Sequence, residues 1–295
     1  MLVDPKGEPV KEDLAVPELT NKQRREATER TSVSAVVVHE AIRHDGEEEL
    51  RRPLSALGWS GLAAGLAMGF SFLTEGLLRS ALPDRAWTPL IVNLGYPIGF
   101  LIVIIGRQQL FTENTLTAII PLLARRNMTT FRAVLRLWGA VLTANLVGAH
   151  LFAWVIAQTP VARPEVMDAL KQLAVQAAAQ GAWVAIIRGV FAGWLIAMVV
   201  WMLAAVDRER VAIIVALTYV VGLGGLTHVI AGSIEVLFLV MIGAKTWSSY
   251  FFGYMCPTLL GNILGGVSLV SALNHAQVVA GMDPNRKAAA EKTLS

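Results

Sequence analysis

Six apolar stretches, each near or above the length of a membrane-spanning helix, follow residue 53 of this 295-residue chain. A helix needs about 20 mostly apolar residues to cross the hydrocarbon core of a bilayer. Hydrophobic residues make up 55% of the chain and charged residues only 16%, which is unusual for a soluble domain. The stretches cover residues 54–78, 89–123, 133–157, 182–204, 211–241 and 251–274. We therefore predict an all-α integral membrane protein with six transmembrane helices.

The connections between these stretches differ in their basic residues. Arg125 and Arg126 follow the second stretch, and Arg208 and Arg210 follow the fourth, whereas the connection after the fifth stretch holds Lys245. Short loops rich in Lys and Arg stay on the cytoplasmic side of a membrane. Both termini are therefore predicted to be cytoplasmic. The predicted organisation is a charged tail over residues 1–52, a six-span domain over 53–276 and a second tail over 277–295.

Two segments outside the apolar stretches have helical patterns. The tail sequence "SVSAVVVHEAIRHDGEEELRR", which begins at Ser32, has apolar residues at positions 33, 36, 37 and 41. This spacing predicts an amphipathic helix, either on the membrane surface or solvated without a role in gating. Residues 164–180 begin with Pro and an acidic residue, which predicts a non-spanning helix on the outer side.

Polar residues interrupt two of the six stretches. "RQQLFTENT" occupies residues 107–115 inside the second, and a glycine-rich segment before "LTH" (226–228) interrupts the fifth. Unwound backbone at membrane depth is tolerated where protein buries it or where it lines an aqueous pathway. We expect residues 107–115 and 222–228 to be non-helical and to approach each other near the membrane midplane.

An internal repeat relates the two halves of the chain. "LFT" (110–112) in the second stretch matches "LTH" (226–228) in the fifth, and "ANLVGA" (144–149) in the third matches "GNILGG" (261–266) in the sixth. Because each half has three spans, the second half enters the membrane from the opposite side. The predicted fold is two inverted three-helix repeats with spans 2 and 5 interrupted, an architecture of membrane transport proteins. Close helix packing is the alternative reason for the glycines.

Several functional classes are disfavoured by what the sequence lacks. Cys256 is the single cysteine, and the sequence contains no His-x-x-x-His motif and no paired carboxylates on one span, so neither an enzyme nor a metal or cofactor site is expected. The net charge of +3 indicates membrane orientation, and no nucleic-acid partner is expected. Asn-Pro-Ala motifs of water channels are absent. A non-conducting scaffold or sensor of the same fold remains the alternative to a transporter.

Five segments together resemble the formate/nitrite transporter family over about residues 54–275. They are "GFLIVIIGRQQLFTENT", "ANLVGA", "RGVFAGWLIAMVVWM", "THVIAG" and "PTLLGNILGG". The tail resembles that of a less characterised bacterial branch. The resemblance implies an aquaporin-like protomer in the bacterial inner membrane, a homo-oligomer that is usually a pentamer, and one pore per protomer for small monovalent anions of weak acids.

The resemblance also implies site residues. Those of the substrate pathway are His228, Thr112, Leu110, Phe111, Tyr96, Phe100 and Ile196. Asn145 and Asn262 match the family's glycine-flanked asparagines and are expected to support the pore. The chain departs from the family at three positions, where Thr227 replaces a common Glu and Gly193 and Gly232 each replace a common Asn.

Three charged residues extend the candidate site. Arg107 and Glu113 are expected either to form an ion pair that braces the loop or to act on conduction, because intramembrane charges usually pair. Glu235, two helical turns after His228, is expected to line the pathway or to pair with Arg188. His228 is the predicted point of proton exchange with the anion, because an imidazole exchanges protons near neutral pH; the alternative is that it serves only as a polar contact. The predicted partners are thus small anions, protons, the lipid bilayer and further copies of the chain.

Overall fold

A computed structural model describes Thr20 and residues 33–280, and the remainder of both predicted tails lies outside the described residues. The described residues from Ala35 to Ala280 belong to one compact helical unit. Its α-helices are α1 (Ala35–Arg51), α2 (Leu54–Ala81), α3 (Thr88–Val92), α4 (Pro97–Ile105), α5 (Asn114–Thr117), α6 (Ile119–Arg125), α7 (Met128–Gln158), α8 (Pro164–Ala177), α9 (Ala182–Leu203), α10 (Arg210–Leu223), α11 (Ala231–Met241), α12 (Cys256–Leu264) and α13 (Leu273–Ala280). A 3-10 turn covers Asn93–Gly95, and π-helical segments cover Ser249–Met255 and Gly265–Ala272.

Within the described residues, five helical segments are long and apolar enough to cross a membrane. They are Leu54–Ala81, Thr88–Ile105, Met128–Gln158, Ala182–Leu203 and Ser249–Val278. The predicted fifth span is instead two short apolar helices, α10 and α11. Six single long helices are therefore not observed, because the interruption after α10 leaves two pieces that are each too short to span alone.

Both predicted interruptions are present, with shifted boundaries. The first covers residues 106–113, so Asn114 and the residue after it, predicted as non-helical, already belong to α5. The second covers residues 224–230, and Gly222 still belongs to α10. Arg107 and Gly225 adopt left-handed φ angles of 53° and 56°. A residue in this conformation cannot continue a right-handed helix, so each helix ends beside it.

Small residues bring two pairs of helices into close contact. A side chain added at Gly65 on α2 would collide with the backbone of Asn145 on α7, and one added at Gly193 on α9 would collide with the backbone of Asn262 on α12. Glycine at these positions lets the helix backbones approach closely, as is common between membrane helices. The two asparagines are thereby held in the interior, where neither is exposed.

The helix predicted in the N-terminal tail is α1, and it packs against the bundle. Its buried residues are Val38, His39, Ile42 and Gly46. The apolar residues of the predicted face, at positions 33, 36, 37 and 41, are exposed in the protomer, so a different face of α1 packs against the bundle. Val38 and Ile42 face an apolar cluster of Leu116, Ile120 and Ala197. Contact with this cluster, rather than hydrophobic spacing alone, selects the buried face.

Candidate functional site

The first interruption is held in place by Asn145 of α7. Its Oδ1 accepts a hydrogen bond from the Phe111 backbone N–H at 2.9 Å. Its Nδ2 donates to the carbonyl oxygens of Gln109 and Gly61, both at 2.8 Å. The Gln109 N–H donates to Ser60 Oγ at 3.1 Å. These bonds replace the helical bonds that the interruption removes, so the polar backbone is not left unsatisfied in the protein interior.

Asn262 of α12 holds the second interruption with the same pattern. Its Oδ1 accepts from the Val229 N–H at 2.8 Å. Its Nδ2 donates to the carbonyl oxygens of Thr227 and Gly189, both at 2.9 Å. Each asparagine therefore ties one loop N–H, one loop carbonyl and one neighbouring helix together. The amide is suited to this position because it offers a donor and an acceptor on one short side chain.

Thr112 and His228 join the two interruptions at the centre of the bundle. Thr112 Oγ1 lies 2.8 Å from His228 Nε2. The Ala231 backbone N–H donates to His228 Nδ1 at 3.2 Å, so Nδ1 is the acceptor nitrogen. The neutral ring then carries its proton on Nε2 and donates it to Thr112. His228 is 1% exposed and Thr112 is 0% exposed, so this contact is shielded from water in the protomer.

Aromatic rings cover one side of His228. Phe100 packs edge-on against the imidazole with ring centres 5.1 Å apart. Tyr96, one helical turn away, packs on Phe100 with ring centres 5.4 Å apart. Both rings are buried. The predicted constriction residues Tyr96 and Phe100 thus form a continuous apolar layer next to the central histidine.

A cavity of about 430 Å³ lies beside the first interruption. Leu110 and Gln109 of the loop line it, together with one face of α1 and part of α9. Its charged lining includes Arg107, Glu113 and Arg210. Leu110 lines this cavity and precedes Thr112 by two positions in the same loop.

Other predicted site residues occupy packed positions. Phe111 packs edge-on against Trp138 of α7, with ring centres 5.6 Å apart. Thr227 donates its hydroxyl to the Ala185 carbonyl of α9 at 2.7 Å. Ile196 is fully buried on α9. The side chains of Phe111 and Thr227 are thus engaged with neighbouring helices.

Neither of the expected intramembrane ion pairs is formed within the described residues. Arg107 has no carboxylate within 4.0 Å, and Glu113 Oε1 is buried without a hydrogen-bond partner. Arg107 is exposed and has a left-handed backbone conformation. Arg188 donates instead to Gln180 Oε1 at 3.0 Å and to the Gly225 carbonyl at 3.3 Å. Glu235 therefore forms no ion pair with Arg188.

Sequence reasoning missed a second carboxylate, Glu75 of α2. It is 5% exposed, and it lies close enough to Glu235 for the two side chains to interact electrostatically. Tyr254 also interacts with Glu235. The available signal was the carboxylate itself, because an ionisable residue within an apolar span is a candidate functional residue. No group of three or more His, Cys, Asp or Glu side chains suited to a metal ion occurs in the described part of the chain.

Comparison with known proteins places the chain among transport proteins. The family model for the formate/nitrite transporter matches residues 36–276. The inner membrane protein YfdC of Escherichia coli K12 is 39% identical over 264 residues, which are 90% of this chain and 85% of that protein.

Two solved structures have a similar fold. A structure described as an FNT family ion channel matches with a TM-score of 0.68 and 19% identity, over 81% of this chain and 98% of the other. A pentameric formate channel with formate bound matches with a TM-score of 0.62 and 18% identity, over 75% and 95%. At these identities the likeness concerns the fold. The extent of the family match and the identity to YfdC show that the chain belongs to the formate/nitrite transporter family, and that it is a membrane transport protein and not an enzyme.

Proposed function

We propose that the chain forms a pathway for small monovalent anions of weak acids, of the size of formate or nitrite, and that a proton exchanged at His228 assists their passage. The observation that carries this proposal is the contact between Thr112 Oγ1 and His228 Nε2. It brings a titratable ring and a hydroxyl together where two interrupted helices meet, beside the aromatic layer of Phe100 and Tyr96.

The chemistry of the central contact suits a weak acid. A bare anion loses its hydration when it enters an apolar constriction, and this loss is costly. A proton that the His228 ring has taken up can pass to an anion oxygen, which returns the ring to its neutral form and makes the substrate a neutral acid. The Thr112 oxygen accepts a hydrogen bond from His228 Nε2–H, so the hydroxyl hydrogen of Thr112 is free to donate a hydrogen bond to the substrate. The neutral acid can then pass Phe100 and Tyr96.

The finer architecture belongs to the same proposal. We infer six membrane crossings arranged as two inverted three-helix repeats, with α10 and α11 together forming the fifth. The matching bonds of Asn145 and Asn262 support this inference. We further propose a pentamer with one pathway per protomer, located in a bacterial inner membrane with both termini in the cytoplasm. The names of the related proteins and the pentameric formate channel support assembly and location.

A non-conducting scaffold or sensor is the second candidate. Gly193 and Gly232 stand where the resemblance leads us to expect pore asparagines. In the structure Gly193 packs against the Asn262 backbone and Gly232 packs against the Tyr254 hydroxyl. These contacts give both glycines a packing role, which is compatible with a chain that keeps the fold without conducting.

Flux measurements decide between the two. The purified protein is reconstituted into proteoliposomes, and the uptake of labelled formate and of nitrite is followed at several pH values, with empty liposomes as the control. Uptake above the control that increases as the pH falls supports the proposed pathway. Uptake equal to that of empty liposomes for both anions, from protein that is folded and assembled, supports the scaffold.

A further inference from the structure

Glu75 and Glu235 form an acidic pair away from the Thr112–His228 contact, in which Glu75 is buried and Glu235 is half-buried. Glu75 lies on α2 and Glu235 on α11, and these helices also meet through Phe72 and Phe238, whose ring centres are 5.6 Å apart. Each phenylalanine is about one helical turn from the glutamate on its own helix. The carboxyl group of Glu75 makes no hydrogen bond or ion pair within the described part of the chain.

The pair lies beside the aromatic layer. The 3-10 turn approaches Glu75 so closely that a side chain added at Gly95 would lie 3.0 Å from Glu75 Cγ. Tyr96, the next residue, interacts electrostatically with both carboxylates. Since Tyr96 packs on Phe100 and Phe100 packs on His228, one layer of two rings separates the acidic pair from the histidine. The cavity lined by Leu110 does not include either glutamate.

The surroundings of the pair contain no compensating positive charge among the residues described. The titratable groups that interact with it are the phenols of Tyr96 and Tyr254. Tyr254 in turn interacts with Tyr250, whose hydroxyl donates to Ser233 Oγ at 3.1 Å. Two ionised carboxylates close together in a poorly solvated site repel each other strongly. A proton held by one of them removes the repulsion and supplies a hydrogen-bond donor.

We propose that Glu75 and Glu235 form a second proton-exchange site, which protonates a weak-acid anion before it meets the Tyr96–Phe100 layer from the side opposite the cavity. The O–H bond of the protonated carboxyl breaks, and the proton forms an O–H bond with the anion. The carboxylate that remains regains a proton from water on the same side. This inference rests on the proposed function, since it assigns a proton donor to the same pathway.

The test uses isosteric variants of the full-length protein. Glu75→Gln, Glu235→Gln and the double variant are compared with the wild type and with Glu165→Gln, which alters an exposed glutamate of α8. Infrared difference spectra between acidic and alkaline pH report protonated carboxyl groups without any need for transport. Formate uptake and the accompanying proton movement are measured in proteoliposomes between about pH 5 and pH 8.

We expect each single variant to lose the carboxyl signal of the pair and to lower formate uptake at neutral pH about tenfold or more, as loss of an acid catalyst does. Glu165→Gln should match the wild type. The proposal is overturned if the variants keep the wild-type infrared signal, or if they lose the signal but keep wild-type uptake at every pH. Loss of the signal on addition of Na⁺ or K⁺ would also overturn it, because the pair would then hold a cation.

The infrared measurement separates this inference from the proposed function. If the wild-type protein moves neither formate nor nitrite, the proposed function fails. In that case the assignment of the Glu75–Glu235 pair as a proton donor to the pathway fails as well. A carboxyl signal that disappears in both single variants still identifies the pair as a site of proton binding.

Discussion

Thr112 and His228 are 116 positions apart in the chain, yet Thr112 Oγ1 lies 2.8 Å from His228 Nε2. Each residue lies in an interruption between two helices, and each interruption is held by one buried asparagine, Asn145 for the first and Asn262 for the second. The contact therefore depends on both halves of the chain at once. A change in either loop is expected to alter the same central site.

Replacement of His228 tests the central proton exchange. His228→Ala should lower formate uptake about 100-fold or make the remaining uptake independent of pH, because the titratable ring at the junction is lost. His228→Gln, which keeps a donor near Thr112 but cannot take up a proton, should show the same loss. Uptake in proteoliposomes, with oligomer size by chromatography as the folding control, checks this.

Glu113→Gln is the paired variant, because Glu113 Oε1 is buried without a partner beside the cavity. We expect this variant to keep a pH-dependent uptake. Should it lose pH dependence while His228→Ala retains the wild-type profile, the proton would be exchanged at the first interruption, contrary to the proposal.

Asn145 and Asn262 are expected to be structural. Asn145→Ala or Asn262→Ala leaves buried loop groups without partners, and each such group costs about 1–3 kcal/mol. Each variant should therefore lose roughly 3 kcal/mol or more of stability and unfold at a lower temperature in detergent. Asn127, an exposed residue that caps α7 through the Thr130 N–H, provides the control, since Asn127→Ala should cost only about 1 kcal/mol. Equal losses at Asn127 and Asn145 would contradict this account.

Gly193 is expected to require the absence of a side chain. Gly193→Ala places a methyl group on the Asn262 backbone and should force α9 and α12 apart, at a cost of about 1–3 kcal/mol. Gly139 of α7 has no neighbour within 4 Å of such a methyl group, so Gly139→Ala should be neutral or stabilise the helix by up to about 1 kcal/mol. Thermal unfolding of both variants checks the contrast, and a Gly193→Ala protein as stable as Gly139→Ala would refute it.

The docking of α1 should weaken in acid. His39 Nε2 lies 2.9 Å from His275 Nδ1, and burial, with a smaller contribution from His275, lowers the pKa of His39 from 6.5 to about 4. Glu40 opposes this shift and Arg43 adds to it. Because docked His39 binds protons less readily than undocked His39, docking is strongest above about pH 6.5 and weakens as the pH falls towards 4.

Hydrogen exchange of residues 35–51 at pH 7.5 and at about pH 5 measures this docking. The wild type should exchange faster in acid after correction for the intrinsic rate. His39→Gln cannot take up the proton and should lose this response, whereas His44→Gln, at an exposed position, should keep it. An unchanged acid response in His39→Gln would show that another group controls docking.

The membrane character of the chain, the two interruptions and the matched positions of Asn145 and Asn262 in the internal repeat could be predicted from the sequence. The mean hydropathy of a stretch of about 20 residues depends only on the side chains of that stretch. A membrane span can therefore be recognised without knowledge of the fold. The matched "ANLVGA" and "GNILGG" segments each contain a buried asparagine with small residues beside it, so both can be found in the sequence. The formate/nitrite transporter family could be recognised from these segments for the same reason.

Partners of the charged residues were decided only by the tertiary structure. Arg107 and Glu113 are six positions apart but form no ion pair, whereas Glu75 and Glu235 interact electrostatically although they belong to different halves of the chain. The buried face of α1 likewise depends on the Leu116–Ile120 cluster that it contacts. The hydrophobic pattern predicts which side chains avoid water. The partner of a buried charge depends instead on how the helices cross, and packing between segments distant in the chain sets that geometry.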